Sequence, residues 1–224
     1  GDARSRSDRE GVAPTVACPA LILIMLFRMI PRVAFVLLLL VSSGCDRSDR
    51  KSAAAAAKPL IAVLETELGT IEIELLTGDA PKAAENFRLL AERGFYNGLT
   101  FHRLVKGFMI QGGDPVGDGR GGESAWGGTF DDEIVPRSPL YQGGVGYKRG
   151  IVAMANRGPN TNTSQFFILQ KDYPMAPTYT IFGRVTKGLE TVDALAALPT
   201  QRGPTGEKSA PVKPPVIQRV TIRK

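Results

Sequence analysis

Within Thr70–Leu76 the chain alternates between apolar and acidic residues: Ile71, Ile73 and Leu75 face one way, Glu72 and Glu74 the other. That period of two marks a strand with one buried face. Leu60–Thr66 is a second apolar run, and Glu67-Leu68-Gly69 between the two predicts a turn, hence a hairpin. At Asp79-Ala80-Pro81 the period lengthens. Asp79 suits a cap, Pro81 suits a first helical turn, and Ala83, Phe87, Leu90 and Ala91 share one helical face as far as Gly94. Strands are predicted over Leu99–Val105 and Phe108–Gln111, followed by a Gly-rich irregular stretch, Gly112–Gly128. Further strands fit Ile151–Ala155, Gln165–Leu169 and Thr180–Val185. Leu189, Val192 and Leu195 mark a second helix that ends at Leu198-Pro199. Thr200–Pro215, polar and rich in Pro and Gly, predicts a loop before a last strand, Val216–Ile222. Many strands with one helix near each end predict a mainly β domain: a closed antiparallel barrel capped by helices.

Upstream of this domain the pattern differs. Two apolar runs, Ala20–Phe27 and Val33–Val41, are separated by Arg28, Pro31 and Arg32. Neither reaches the roughly 20 residues of a spanning helix. From Met29 onward, Arg32 supplies a positive start, Val33–Val41 a short apolar region, and Ser42-Ser43-Gly44 small residues before Cys45. The order resembles a bacterial lipoprotein signal, although Ser42 stands where Leu is usual. A simple cleaved secretory signal and a retained anchor fit the same pattern. The organisation expected is therefore a non-native upstream extension at 1–28, a signal peptide at 29–44, a lipidation site at Cys45 with a linker through 58, and the folded domain at 59–224. Lipid on Cys45 would tether the domain to a bacterial membrane on its periplasmic side. A coiled linker would reach roughly 20 Å.

Composition narrows the chemistry. The formal net charge is +6, but beyond Cys45 no run of Lys and Arg exceeds two residues, so no nucleic-acid partner is expected. A basic nucleic-acid-associated factor nevertheless remains as one reading of the charge. Both cysteines, Cys18 and Cys45, precede the domain, which leaves it neither a disulfide nor a thiol nucleophile. His102 is the single histidine, so a structural zinc site is not expected.

Two long segments carry a resemblance. One is Phe101-His102-Arg103-Leu104-Val105-Lys106-Gly107-Phe108-Met109-Ile110-Gln111-Gly112-Gly113-Asp114. The other runs from Met154-Ala155-Asn156-Arg157-Gly158-Pro159-Asn160 through Thr161-Asn162-Thr163-Ser164-Gln165-Phe166-Phe167-Ile168. With Phe130-Asp131-Asp132-Glu133 and Phe182-Gly183-Arg184-Val185, they resemble the cyclophilin-type peptidyl-prolyl cis/trans isomerases in order and spacing. The resemblance spans Leu60 to about Ile222. It implies an eight-stranded antiparallel barrel capped by two α-helices, an active groove on the outside of the barrel, and no cofactor or metal.

It also implies roles. Arg103 matches the catalytic arginine. Phe108, Met109, Phe167 and Met175 match the proline pocket, Gln111 braces Arg103 or the substrate, and Ala155 and Asn156 match the positions that bind substrate backbone. Such a reaction breaks no bond, so a domain without a nucleophile or an acid–base pair suits it. His102 is expected to make a structural hydrogen bond, and Trp126 to pack. Asn160–Ser164 reads equally as a polar turn or as a groove-shaping run. The chain departs from the common eukaryotic pattern before Phe182: Pro174 stands for a Trp, Met175 for a Leu and Tyr179 for a His. The partners implied are X-Pro segments in unfolded or loop regions, met by a monomer. A proline-binding module of the same fold with little turnover is the rival reading.

Overall fold

The hairpin read from alternation forms the start of the domain. In the computed structural model, which describes residues 58–224 apart from 145, 204 and 205 and the side chains of 142–144, strand β1 (Ile61–Thr66) pairs antiparallel with β2 (Gly69–Leu75). Ala62, Leu64, Ile71 and Ile73 are fully buried. Their neighbours Glu65, Glu72 and Glu74 lie on the outer face and pair with Arg219, with Lys187 and Arg223, and with Arg184. The expected signal segment, linker and Cys45 lie outside the described residues.

Helix α1 (Pro81–Glu92) buries Ala83, Ala84, Phe87, Leu90 and Ala91. Its cap is not the one the sequence suggested. No side chain near Asp79 caps it. Instead the Glu133 carboxylate accepts from the Lys82 N–H (3.0 Å) and the Ala83 N–H (2.8 Å). A carboxylate facing the positive end of a helix suits both the free N–H groups and the dipole. That partner is far away in sequence, so no local pattern could announce it.

Strands β3 (Thr100–Val105), β4 (Met109–Asp114), β5 (Ile151–Met154), β6 (Phe166–Leu169) and β7 (Ile181–Lys187) follow, then helix α2 (Leu189–Ala196). A short 3₁₀ helix, Pro139–Gly144, precedes β5. Thr200–Pro215 is not the plain loop expected: β8 (Thr200–Arg202) and β9 (Lys208–Pro211) form a separate two-stranded hairpin before β10 (Ile217–Arg223). Its few polar residues bury too little apolar surface to give a period. The eight long strands make one antiparallel sheet in the order β10-β1-β2-β7-β5-β6-β4-β3. The sheet is curled rather than closed as expected: its edge strands β3 and β10 share no ladder and are joined only by short contacts, where the Phe101 N–H reaches the Pro215 carbonyl (3.0 Å) and the Ile217 N–H reaches that of Leu99 (2.8 Å).

Two apolar clusters result. The larger fills the barrel, with Phe87, Tyr96, Phe101, Phe166 and Phe182 stacked or edge-on to one another at its centre. The smaller contains Met109, Tyr141, Tyr147, Ala153, Phe167 and Leu169. It lies on the other side of the β4–β6–β5 strands, because residues next to each other in a strand point to opposite faces.

Candidate active site

A bulge in β3 creates the site. Phe101 pairs with Gly112 and Arg103 with Gln111, so His102 is an extra residue with no cross-strand partner. Phe101 and Leu104 stay in the core while Arg103 is turned to the outer face. Bulges re-aim side chains in this way next to functional sites. Arg103, Gln111 and Phe167 are then successive cross-strand neighbours on β3, β4 and β6, with Met109 two residues from Gln111 on the same face. Gly113 ends this stretch at a φ of +83°, where a Cβ would stand 2.5 Å from the Ser164 carbonyl oxygen, so only glycine lets β4 approach the Ser164 segment.

These residues line a groove of about 770 Å³. Met109 and Phe167 form a buried apolar floor, and Phe108 and Tyr179 are partly buried above it. Tyr179 meets the Phe167 ring edge-on at 5.2 Å. The polar side is a chain of side chains. Arg103 Nη1 donates to Gln111 Oε1 (3.2 Å), Gln111 Nε2 to Gln165 Oε1 (3.0 Å), and Gln165 Nε2 to the carbonyls of Gly119 (3.1 Å) and Gly121 (2.8 Å). Asn156 is anchored by its side chain, which donates to the Thr178 carbonyl (2.9 Å). Its main-chain N–H and C=O make no hydrogen bond among the described residues, which leaves them free to meet an extended peptide.

The electrostatics are balanced. Arg103 Nε and Nη2 donate to Glu207 Oε2 (2.8 Å) and Oε1 (3.2 Å), and Arg120 pairs with Asp118 at 2.7 Å. Hydrogen bonds from Arg103 hold the Glu207 carboxyl below the usual carboxylate range, against a smaller opposing push from burial. His102 lines the groove with both ring nitrogens buried and without a hydrogen-bond partner, so the structural bond expected of it is absent among the described residues. Burial pushes its pKa down, outweighing the upward pull of Asp114 and Asp118, and Arg103 adds to the depression.

A family model described as cyclophilin type peptidyl-prolyl cis-trans isomerase/CLD matches residues 61–222. The chain belongs to the cyclophilin family. This cyclophilin is 48% identical over 160 residues to "Peptidyl-prolyl cis-trans isomerase CYP18-1" of Arabidopsis thaliana, covering 71% of this chain and 93% of the relative. It is 49% identical over 140 residues to "Peptidyl-prolyl cis-trans isomerase-like 1" of Neurospora crassa, covering 62% and 82%. Among solved structures, the cyclophilin type peptidyl-prolyl cis-trans isomerase of Cryptosporidium parvum superposes with a TM-score of 0.66 at 38% identity, covering 75% of this chain and 99% of the other. The activity of the cyclophilin is therefore peptidyl-prolyl cis-trans isomerisation.

Of the domain residues singled out from the sequence, Arg103, Phe108, Met109, Gln111, Ala155, Asn156, Phe167 and Tyr179 line this one groove, together with His102. Met175 is not among the lining residues; it packs on the smaller apolar cluster instead. Pro174, in the Trp position, is exposed, while its neighbour Tyr173 lays its ring on Phe108 at 4.2 Å between centroids. Tyr173 was not singled out, since counting back from Phe182 assigns no role to it. Within Asn160–Ser164 both readings have a counterpart: Asp132 accepts from the Asn160 N–H and from Asn162 Nδ2, while Thr161 and Thr163 line a small pocket with Gln111, Ala155 and Asn156. Trp126 is half exposed and edge-on to Phe130 at 6.0 Å, away from the groove lining. Glu207 was missed because its segment read as loop, and nothing local in Gly206-Glu207-Lys208 signals an arginine partner on β3.

Proposed function

We propose that this cyclophilin speeds cis/trans exchange at X-Pro bonds in unfolded or loop segments of exported proteins, by non-covalent catalysis at Arg103. The observation that carries the reading is a fixed guanidinium beside a buried apolar floor, with a free main-chain edge at Asn156 opposite. The barrier to rotating an amide is about 18–20 kcal/mol because rotation breaks conjugation. Uncatalysed exchange takes about 10–100 s, and a hundred-thousandfold acceleration requires roughly 7 kcal/mol. At the twisted state the prolyl nitrogen regains its lone pair and can accept from Arg103. One charge-assisted hydrogen bond supplies about 1.5–3 kcal/mol. The remainder falls to positioning: Phe108, Met109 and Phe167 hold the ring while Ala155 and Asn156 hold the preceding residue, and the apolar surroundings disfavour the polar planar amide. The Cryptosporidium parvum relative has a structure in the presence of the dipeptide Ala-Pro, which supports proline-containing peptide as the ligand class here.

The export reading rests on Arg32, Val33–Val41 and Ser42-Ser43-Gly44-Cys45. Lipid on Cys45 would hold a monomeric domain at a bacterial membrane, facing the periplasm. Cys45→Ser should release the protein into the soluble fraction; a variant that stays membrane-bound and normally processed removes the anchor. For catalysis, exchange NMR on a proline tetrapeptide with the full chain should show exchange at millisecond rates. Tight binding without faster exchange would make it a proline-binding module.

A further inference from the structure

Arg103 is a long side chain on an outer face, with 36% of its side chain exposed. Left free, such a side chain samples many rotamers, and fixing it costs up to about 2 kcal/mol. Two anchors fix it here. Gln111 holds Nη1, and Glu207 takes Nε and Nη2 with both carboxylate oxygens. A guanidinium has five N–H groups. Three are engaged, which leaves one hydrogen on each Nη. The two-oxygen contact sets the plane of the guanidinium, which a single contact from Gln111 does not.

Glu207 is itself held. Its carbonyl accepts from the Gly203 N–H (2.9 Å) and the Ser209 N–H (3.0 Å), at the end of the β8–β9 ladder, and Ser209 and Pro211 of β9 are buried. Gly203, Glu207, Ser209 and Ala210 all line the groove. Stability does not account for the pair: both partners are more than one-third exposed, and such ion pairs contribute about 0–1 kcal/mol.

We propose that Glu207 is a positioning residue for the isomerisation: its carboxylate orients Arg103 so that one of the two remaining N–H groups meets the lone pair of the prolyl nitrogen, which makes the β8–β9 hairpin a working wall of the groove. This rests on the role given to Arg103 above. The alternative is that the carboxylate competes with substrate and holds Arg103 back.

The test compares Glu207→Ala, Glu207→Gln and Glu207→Asp in the full chain, each also in an Arg103→Ala background. Exchange NMR with a proline tetrapeptide gives bound-state exchange rate and affinity separately. Glu207→Ala should slow exchange by about 2- to 5-fold, the scale of one exposed charged contact, with affinity within about twofold. Glu207→Gln, which keeps a single accepting oxygen and nearly the same shape, should be intermediate, and Glu207→Asp should recover most of the rate. In the Arg103→Ala background Glu207→Ala should change nothing further. Unchanged or faster exchange in Glu207→Ala overturns the inference, the latter in favour of competition. An equal loss in both backgrounds also overturns it, since the hairpin would then act as scaffold alone. If Arg103→Ala keeps full exchange, the role of Arg103 itself falls, and Glu207 has nothing to position.

Discussion

The β1–β2 and β3–β4 hairpins belong to the same barrel and are built to different ends. In β1–β2 every residue from Ile61 to Thr66 has a partner in β2, without a break. Its outward acids are consumed by neighbouring strands, Glu65 by Arg219, Glu72 by Lys187 and Arg223, and Glu74 by Arg184. In β3–β4 the ladder breaks at His102, and Arg103, Gln111 and Met109 on one face, continued by Phe167 of β6, line a groove. A regular ladder satisfies all its groups internally and so has nothing left for a ligand. The interrupted ladder spends pairing to aim a cation, and recovers support for it from Gln111 and from Glu207 outside the sheet.

The sharpest contrast comes from one truncation in each hairpin. Ile73 is fully buried in β2, and Ile73→Ala should cost about 2–5 kcal/mol of stability through lost contacts and a cavity. Turnover per folded molecule should not change; denaturant midpoints and exchange rates together check this, and a selective loss of turnover would erase the division between the hairpins. Arg103→Ala should do the reverse. Turnover should fall by about 10- to 150-fold, the loss of one charged hydrogen bond at the twisted state. The midpoint should move by less than about 1 kcal/mol, since only an exposed ion pair is lost.

His102 gives a smaller, pH-dependent effect. Burial lowers its folded pKa, whereas the unfolded residue takes its proton near pH ~6.5. Between those values the unfolded chain binds more protons, so stability is full above the unfolded pKa and declines as pH falls through the window. His102→Gln should flatten that acid limb in denaturation curves measured from pH 7 downward. An unaltered limb would mean that the bulge exposes its imidazole to water. Smallest is Glu72→Gln on the regular hairpin, about 0.5–1 kcal/mol at low salt and less at high salt, because its partners Lys187 and Arg223 are largely exposed. A salt-independent loss of several kcal/mol would show that the outer charges of β1–β2 do more than pair with one another.

What local sequence could determine, it determined. Ile71, Ile73 and Leu75 declared a buried face because a strand repeats every two residues, and Ala83, Phe87 and Leu90 declared a helix because a turn repeats every 3.6. The residue order around Arg103 and Asn156 sufficed to name seven residues that share a groove, and the spacing before Phe182 added Tyr179. Tertiary structure decided the rest. The bulge at His102 depends on the register of β4 against β3, which neither strand carries alone. The cap of α1 comes from Glu133, and the second brace on Arg103 comes from Glu207, 104 residues away. Hydrophobic burial leaves a period because every turn or pleat must repeat it, whereas an ion pair or a cap needs only one group delivered once, by whatever segment the fold brings near. Such partners leave no pattern along the chain, and only the folded protein says which carboxylate meets which arginine.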